Sequence, residues 1–401
     1  MNSYDLIIVG AGITGKATAL RLAQLGLKIL HIAPNFDPGS HCNDDLTWDS
    51  RIYALSSSSQ QLLSDMKVWE AMDHSRIQVV SDMRIFGDSG QVKDELHFSA
   101  YSATVPQLAW IVEASHIERT LDTASQFQGN IQRITDTVTD FLSTKNAVTV
   151  QTQTGQNFSA KLLLAADGAQ SPIREKLQIQ TLINDYGQTA IVANFECELD
   201  HKDTAYQWFL DNGEILALLP LPNKKLSMVW SAGTAHAEQL LKLAPDALCS
   251  TVMKAALGSI SQRTGSLKMM TQAKSFPLRK MKAERIIAPD HQPRIVLIGD
   301  AAHVMHPLAG QGLNLGLRDV ATLGQLFENK ESFRDIDDPV ILRRYERSRH
   351  GDTDALLFTT DQLQKLFANQ SDFIKTARNL GMSLVNRSQF LKRQLIQRAL
   401  A

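Results

Sequence analysis

The first thirty-four residues constrain the fold more than any other stretch of this 401-residue chain. "YDLIIVGAGITGKATALRLAQLGLKILHIAP", residues 4–34, reads as an apolar strand, a glycine turn, an amphipathic helix stopped at Gly26 and a second apolar strand. That is a βαβ unit, the opening of a doubly wound α/β sheet. Gly10, Gly12 and Gly15 spell G-x-G-x-x-G between strand and helix, the context in which the pattern carries chemistry. Gly10 permits the tight turn, Gly12 lets a pyrophosphate reach the backbone, and Gly15 lets helix pack on strand. The helix start then offers unpaired N–H groups to anionic oxygens. A dinucleotide site is the reading; NAD and FAD fit the loop equally well, and a bare packing turn is the bland alternative.

A second glycine-rich stretch lies near the other end. "GDAAHVMHPLAGQGLNLGLRD", residues 299–319, follows an apolar run ending at Ile298. Glycine is costly unless the backbone takes φ > 0 or approaches something closely, so Gly310, Gly312 and Gly316 within seven residues point to a ligand. The end of a parallel strand is where open α/β sheets place one. An NAD enzyme completes its site within two adjacent halves, whereas about 290 residues separate Gly10 from Asp300. One long, two-ended cofactor explains both stretches; a tight strand-to-helix turn is the plainer account of the second.

Composition excludes several classes. A net charge of −1 gives no electrostatic reason to expect nucleic acid, and 43% hydrophobic with 21% charged residues is ordinary for a globular chain. Cys42, Cys197 and Cys249 form no CxxC pair, so neither a disulfide framework nor a zinc site is expected, and a reducing cytoplasm fits. No apolar run approaches the roughly 18 residues of a membrane span, and no basic n-region precedes the first strand. His303 and His306, three apart, lack further ligands nearby and are expected to cap a turn or line a pocket.

Residues 34–50 are rich in Pro, Gly, Asp and Asn and read as a long loop, with helical patterning resuming near Ser59 to Met72. Residues 77–100 and 185–232 alternate with period two, and "ILALLPLPNKKLSMVW" reads as a hairpin. This antiparallel pattern interrupts βα pattern, so a smaller domain inserted into a discontinuous one is expected, with helices over 235–258 and most of 318–401.

The G-x-G-x-x-G at 10–15, "LLLAADGAQSPIR" at 162–174 and "GDAAHVMHPLAGQGLNLG" at 299–316 resemble the three signatures of single-component flavoprotein aromatic hydroxylases, the class A flavoprotein monooxygenases. The nearest likeness is the branch that hydroxylates the ring of ubiquinone precursors, supported by "DSRIYALSSSS" at 49–59, "WIVEASHIERTL" at 110–121 and "LRRYERSR" at 342–349. The resemblance implies a p-hydroxybenzoate hydroxylase-like fold: a Rossmann-like FAD-binding domain over 1–75, 101–180 and 276–350, an inserted antiparallel-sheet substrate domain over 76–100 and 181–275, and a C-terminal helical segment over 351–401. It also implies that Asp300 binds the ribityl chain, that Gly310, Gly312, Leu313 and Asn314 line the flavin ring through backbone groups, and that Pro307 shapes the backbone there. Arg51 is implied near the cofactor, and Asp167, with Ser171 and Arg174, near the pyrophosphate and the nicotinamide donor. An Asp-Gly turn with an Arg that merely pins a loop is the alternative for those three.

The chemistry agrees from below. Ribityl hydroxyls are neutral donors that a carboxylate such as Asp300 binds by charge-assisted hydrogen bonds. Negative charge arriving on the flavin N1–C2=O edge is stabilised by N–H groups of a glycine-rich helix start. The family's reaction is ring hydroxylation through a flavin C4a-hydroperoxide, formed from O₂ after NADPH or NADH reduces FAD. The cofactor carries that chemistry, so no catalytic side chain is singled out.

A wall of the substrate pocket is expected from Trp208, Phe209, Leu216, Leu218, Pro220 and Trp230, with no more than two touching substrate. Between Phe373 and Ala401 the cations Lys375, Arg378, Arg387, Lys392, Arg393 and Arg398 alternate with leucines, a basic amphipathic pattern able to lie on an anionic membrane. That suits a prenylated substrate and a cytoplasmic enzyme touching the inner face of a membrane, in a complex with related enzymes; a helix packed on its own domain is the alternative. One departure stands out. The acid that usually ends the second strand and bonds the adenosine ribose is replaced by Ala33, a loss of about ten- to a hundredfold in affinity unless Asn35, Asp37 or a water takes its place. It leaves room for two other readings, a hydroxylase of a soluble aromatic and a non-catalytic flavin-fold scaffold.

Overall fold

The computed structural model describes residues 3–36, 48–87, 95–256, 260–305 and 311–368. The chain opens with β1 (Ser3–Val9), α1 (Ile13–Gln24) and β2 (Ile29–Ala33). It continues with β3 (Ile52–Leu55), α2 (Ser57–Asp65), β4 (Gln78–Val80), β5 (Asp82–Phe86), β6 (Leu96–Ser99), α3 (Ala100–Ala103), β7 (Ala109–Glu113) and α4 (Ala114–Gln126). Then come β8 (Ile131–Thr135), β9 (Val138–Ser143), β10 (Val148–Thr152), β11 (Asn157–Ala165) and α5 (Pro172–Lys176). The central part holds β12 (Thr181–Cys197), β13 (Thr204–Phe209), β14 (Ile215–Leu221), β15 (Lys225–Gly233), α6 (Thr234–Leu241), α7 (Pro245–Ala255) and α8 (Ser261–Thr264). The last elements are β16 (Leu267–Met269), β17 (Lys274–Ala283), β18 (Ile287–Ala288), β19 (Ile295–Leu297), β20 (His303–Val304), α9 (Gln311–Glu328) and α10 (Pro339–Ala368).

β1 lies inside an eight-stranded sheet of order β18-β19-β11-β1-β2-β8, with β10 and β9 added beside β11. Its pairings with β11 and β2 are parallel. A parallel strand is covered on both faces, which is why Leu6, Ile7 and Ile8 are consecutive apolar residues and all fully buried. Each contributes roughly 1.5–3 kcal/mol of burial. α1 is buried on two sides: Ala19, Leu22 and Ala23 join the sheet core, while Ile13, Ala17 and Leu20 pack with α2, α4 and α9.

A nine-stranded sheet runs β20-β17-β12-β15-β14-β13-β5-β6, with β16 also on β12. β14 and β15 form the expected hairpin, turned by Asn223 and Lys224 at φ of 60° and 56°. The domain break expected at 275/276 falls inside β17, whose pairing with β12 continues, through one register shift between Asp185 and Gln188, to Ala283. β20 joins the same sheet, whereas β4, from the 76–100 segment, pairs β7 in a three-stranded sheet with β3. Such long-range pairing leaves no local pattern for a boundary to follow. The small sheet packs on the large one: Ile52, Ala54, Val80 and Ile111 cluster with Ala205, Leu219 and Leu221.

Candidate cofactor site

The three glycines of the first signature differ in what surrounds them. Gly10 has φ of 110°, and a Cβ there would lie 2.2 Å from the Ala166 carbonyl oxygen; one on Gly15 would lie 2.1 Å from the Gly10 oxygen. Both are dictated by internal packing. Around Gly12 no described residue lies within 4 Å of where a Cβ would be, so among the described residues its backbone is uncovered. Gly12 caps α1 without a side-chain hydrogen bond, and no acid occupies the first turn. The first N–H groups of α1 are therefore left to an external anion, which is the cradle a pyrophosphate requires.

The second signature meets the first. A Cβ on Gly316 would lie 2.7 Å from Thr14 Oγ1 and 3.5 Å from Gly299 Cα, and one on Gly299, at φ of 59°, would lie 3.0 Å from Thr14 Cγ2. Gly316 is thus explained by helix packing and not by a ligand, which corrects the expectation for that residue. Among the described residues a Cβ on Gly312 would meet only Met305, at 4.0 Å, and Leu313 packs in the core around α1. Asn314 is fully buried: its Oδ1 accepts from Ser56 N (3.0 Å) and Ser59 Oγ (2.7 Å), and its Nδ2 donates to the Ala54 carbonyl (2.9 Å). Its side chain clamps α9 to β3 and α2, which leaves backbone groups for a ring. Residues 311–314 are the first four of α9, whose N–H groups have no partner within the helix. Pro307, Gly310 and His306 lie outside the described residues.

Asp300 is exposed to water, yet surrounding protein raises its carboxyl above the usual range against the pull of His303 and Arg51. Its carboxyl is thus open to solvent on one side and crowded by protein on the other. Arg51, also exposed, lies 5.5 Å from the Tyr53 ring centroid; Tyr53 holds the guanidinium charged, and burial pushes the Tyr53 phenol up to about 12. Asp167 Oδ2 accepts from Ile173 N at 3.2 Å and Ser171 also acts on the carboxyl, while its buried Oδ1 has no hydrogen-bond partner among the described residues. Burial raises this carboxyl too. Beside Gly10, an orphaned oxygen and an open glycine fit a ligand rich in hydroxyls and phosphate, as FAD is. Ser171 caps α5 by accepting from Arg174 N (3.0 Å), and the Arg174 guanidinium donates to the carbonyls of Ala169 (2.9 Å) and Ala301 (2.8 Å). Arg174 therefore pins two loops together.

Two residues inside quoted stretches were missed. Asp319 accepts from Gly299 N (2.7 Å) and lies 2.9 Å from His303 Nε2 and 2.6 Å from Arg349 Nε, all of them buried. Burial would raise the Asp319 carboxyl, but His303 and Arg349 hold it below the ordinary range. The available signal was an acid on the apolar face of α9, beside Val320 and Leu323.

Most of the six pocket-wall candidates lie in the core, in keeping with the expectation that no more than two touch substrate. Trp208, Leu216, Leu218 and Trp230 belong to the core with Ala237, Leu240, Leu248 and Val252 of α6 and α7. Pro220 pairs Leu226 and shares that face. Phe209 lies on the other face with Ile215. The row Gln207, Ala217, Val229 and Val192 crosses the sheet on this second face, where Ala217 and Val229 are half-exposed though their strands are interior. Leu219 and Leu221 continue the face toward β3 and β7.

The family described as FAD binding domain matches residues 3–357. The ubiquinone hydroxylase UbiL of Rhodospirillum rubrum is 30% identical, covering 99% of this chain and 89% of its own length. The 3-demethoxyubiquinol 3-hydroxylase of Escherichia coli is 30% identical, covering 99% and 98%. Among solved structures, the p-nitrophenol 4-monooxygenase PnpA of Pseudomonas putida matches with a TM-score of 0.78 at 15% identity, covering 99% of this chain and 98% of its own. Klebsiella pneumoniae HpxO complexed with FAD and uric acid matches at 0.72 and 17%, covering 98% and 97%. These two share the fold.

Proposed function

The chain belongs to the FAD binding domain family, and from that membership we propose that it hydroxylates the aromatic ring of a prenylated phenol or quinol in ubiquinone biosynthesis, using O₂ and NADPH or NADH. The full-length likeness to two ubiquinone-pathway hydroxylases carries this reading. FAD supplies the redox and oxygen-transfer chemistry when bound. Gly10, Gly12 and Gly15 seat its pyrophosphate, with Arg51 and Asp167 beside it; Asp300 takes the ribityl hydroxyls; Gly312, Leu313 and Asn314 offer N–H groups to the ring edge, with Gly310 and Pro307 preceding them.

The face carrying Ala217, Val229 and Leu219 holds the substrate ring. Small apolar side chains leave space for a ring and exclude water, which suits a prenylated aromatic substrate. No described helix is long and apolar enough to cross a membrane. Contact with the membrane that holds the substrate falls to the basic segment 373–401, outside the described residues, and association with other enzymes of the pathway to the same surface.

The experiment is to purify the protein gently, record its visible spectrum, and follow bleaching by NADPH or NADH and recovery with O₂. A prenylated phenol should then be consumed to a product heavier by one oxygen atom. Turnover of soluble aromatics alone would overturn the substrate class, and no flavin binding at high FAD would indicate a scaffold.

A further inference from the structure

β2 ends at Ala33, followed by Pro34, Asn35 and Phe36, so the strand carries no acid for the adenosine ribose. We propose that Glu118, on α4, supplies that carboxylate. The inference rests on FAD being the cofactor of the site.

α4 packs along α1, the helix of the glycine signature. Glu118 and Asp122 are four residues apart and therefore share one face of α4. Asp122 is already engaged: its Oδ2 lies 2.5 Å from Lys16 Nζ and its Oδ1 3.1 Å from Arg133 Nη2. Lys16, whose side chain is 1% exposed, also donates to the Phe36 carbonyl at 3.2 Å. These bonds fix Asp122 beside the tip of β2 and neutralise it. Glu118, one turn toward the start of α4, is half-buried and has no hydrogen-bond partner among the described residues. Burial raises its carboxyl, as do Asp49 and Asp122, while Lys16 and Arg51 act on it in the opposite sense, so both cations are within electrostatic reach of it.

That position follows the order of the ligand. Along a dinucleotide the ribose lies between the pyrophosphate, on the Arg51 and Gly12 side, and the adenine, at the tip of β2. A carboxylate there accepts two ribose hydroxyls, the bonds a second-strand acid would otherwise make. Among the described residues on β2's side, Asp136 is already engaged: it accepts from Thr137 N (2.7 Å) and Thr154 Oγ1 (2.5 Å).

The test compares apo wild type, E118A and E118Q for FAD affinity by flavin fluorescence quenching, with ADP as competitor and thermal unfolding of each apoprotein as control. E118A should weaken FAD by about ten- to a hundredfold and ADP by the same factor, E118Q by less, with unfolding unchanged. Equal FAD affinity in E118A and wild type overturns the inference. So does a loss for FAD without one for ADP, absence of ADP competition in wild type, or a lowered apo unfolding temperature that accounts for the loss. Wild type that binds no FAD would instead overturn the proposed function, and this inference with it.

Discussion

Thr14 and Gly316, 302 positions apart, touch so closely that a Cβ on Gly316 would lie 2.7 Å from Thr14 Oγ1. This contact joins the glycine turn before α1 to the first turns of α9, the two elements proposed to hold FAD. G316A should therefore overpack the junction, cost about 1–3 kcal/mol, and loosen FAD. Removing the Thr14 hydroxyl gives space back, so T14A/G316A should recover part of the loss, a non-additivity that denaturant unfolding of both single variants and the double variant would detect.

Arg349 and Asp319 are 3% and 1% exposed, and their pairing holds Gly299 through its N–H. R349M leaves a buried carboxylate facing one histidine, and should cost about 3–5 kcal/mol in urea unfolding. D319N should cost less, since the amide oxygen still accepts from Gly299 N, but should weaken FAD. A variant as stable as wild type would show that the pair does not anchor the turn.

His31 is buried, and its Nε2 donates to the Gly10 carbonyl at 2.9 Å. Burial lowers its pKa from 6.5 to about 4. Above pH 6.5 both folded and unfolded chains hold it neutral; between 6.5 and 4 only the unfolded chain takes up the proton, so stability falls as pH falls through that window. The loss between pH 7 and pH 5 should be about 2 kcal/mol. H31Q should flatten this dependence in urea titrations at the two pH values; an unchanged slope would assign it to other groups.

Val229 and Ala217 are half-exposed on interior strands. V229F and A217F should fill the substrate face while leaving FAD affinity unaltered, raising KM for a prenylated phenol by about tenfold or more. Steady-state kinetics beside a flavin titration separates the two effects, and an unchanged KM would place the ring elsewhere.

Much of the cofactor cradle was legible because its causes are local. Gly10, Gly12 and Gly15 sit within six residues between an apolar strand and an amphipathic helix, a pattern readable locally even though the atom that excludes a Cβ at Gly10 is the distant Ala166 carbonyl oxygen. The end of β19, the turn at Gly299 and the start of α9 were legible for the same reason. Gly316 was not, because the atom that excludes its Cβ belongs to Thr14. Nor was the Asp319–Arg349 pair, which joins two helices.

The sequence by itself determined the βαβ opening, the alternating strands and the places where backbone must bend, since helix and strand periods and glycine's freedom act over a few residues. Only the tertiary structure decided which face of the large sheet looks at α6 and α7, where Trp208 and Trp230 lie, and which looks at β3, where Val229 does. A period of two says that neighbours point apart, and the layer packed on each side settles which of them is buried.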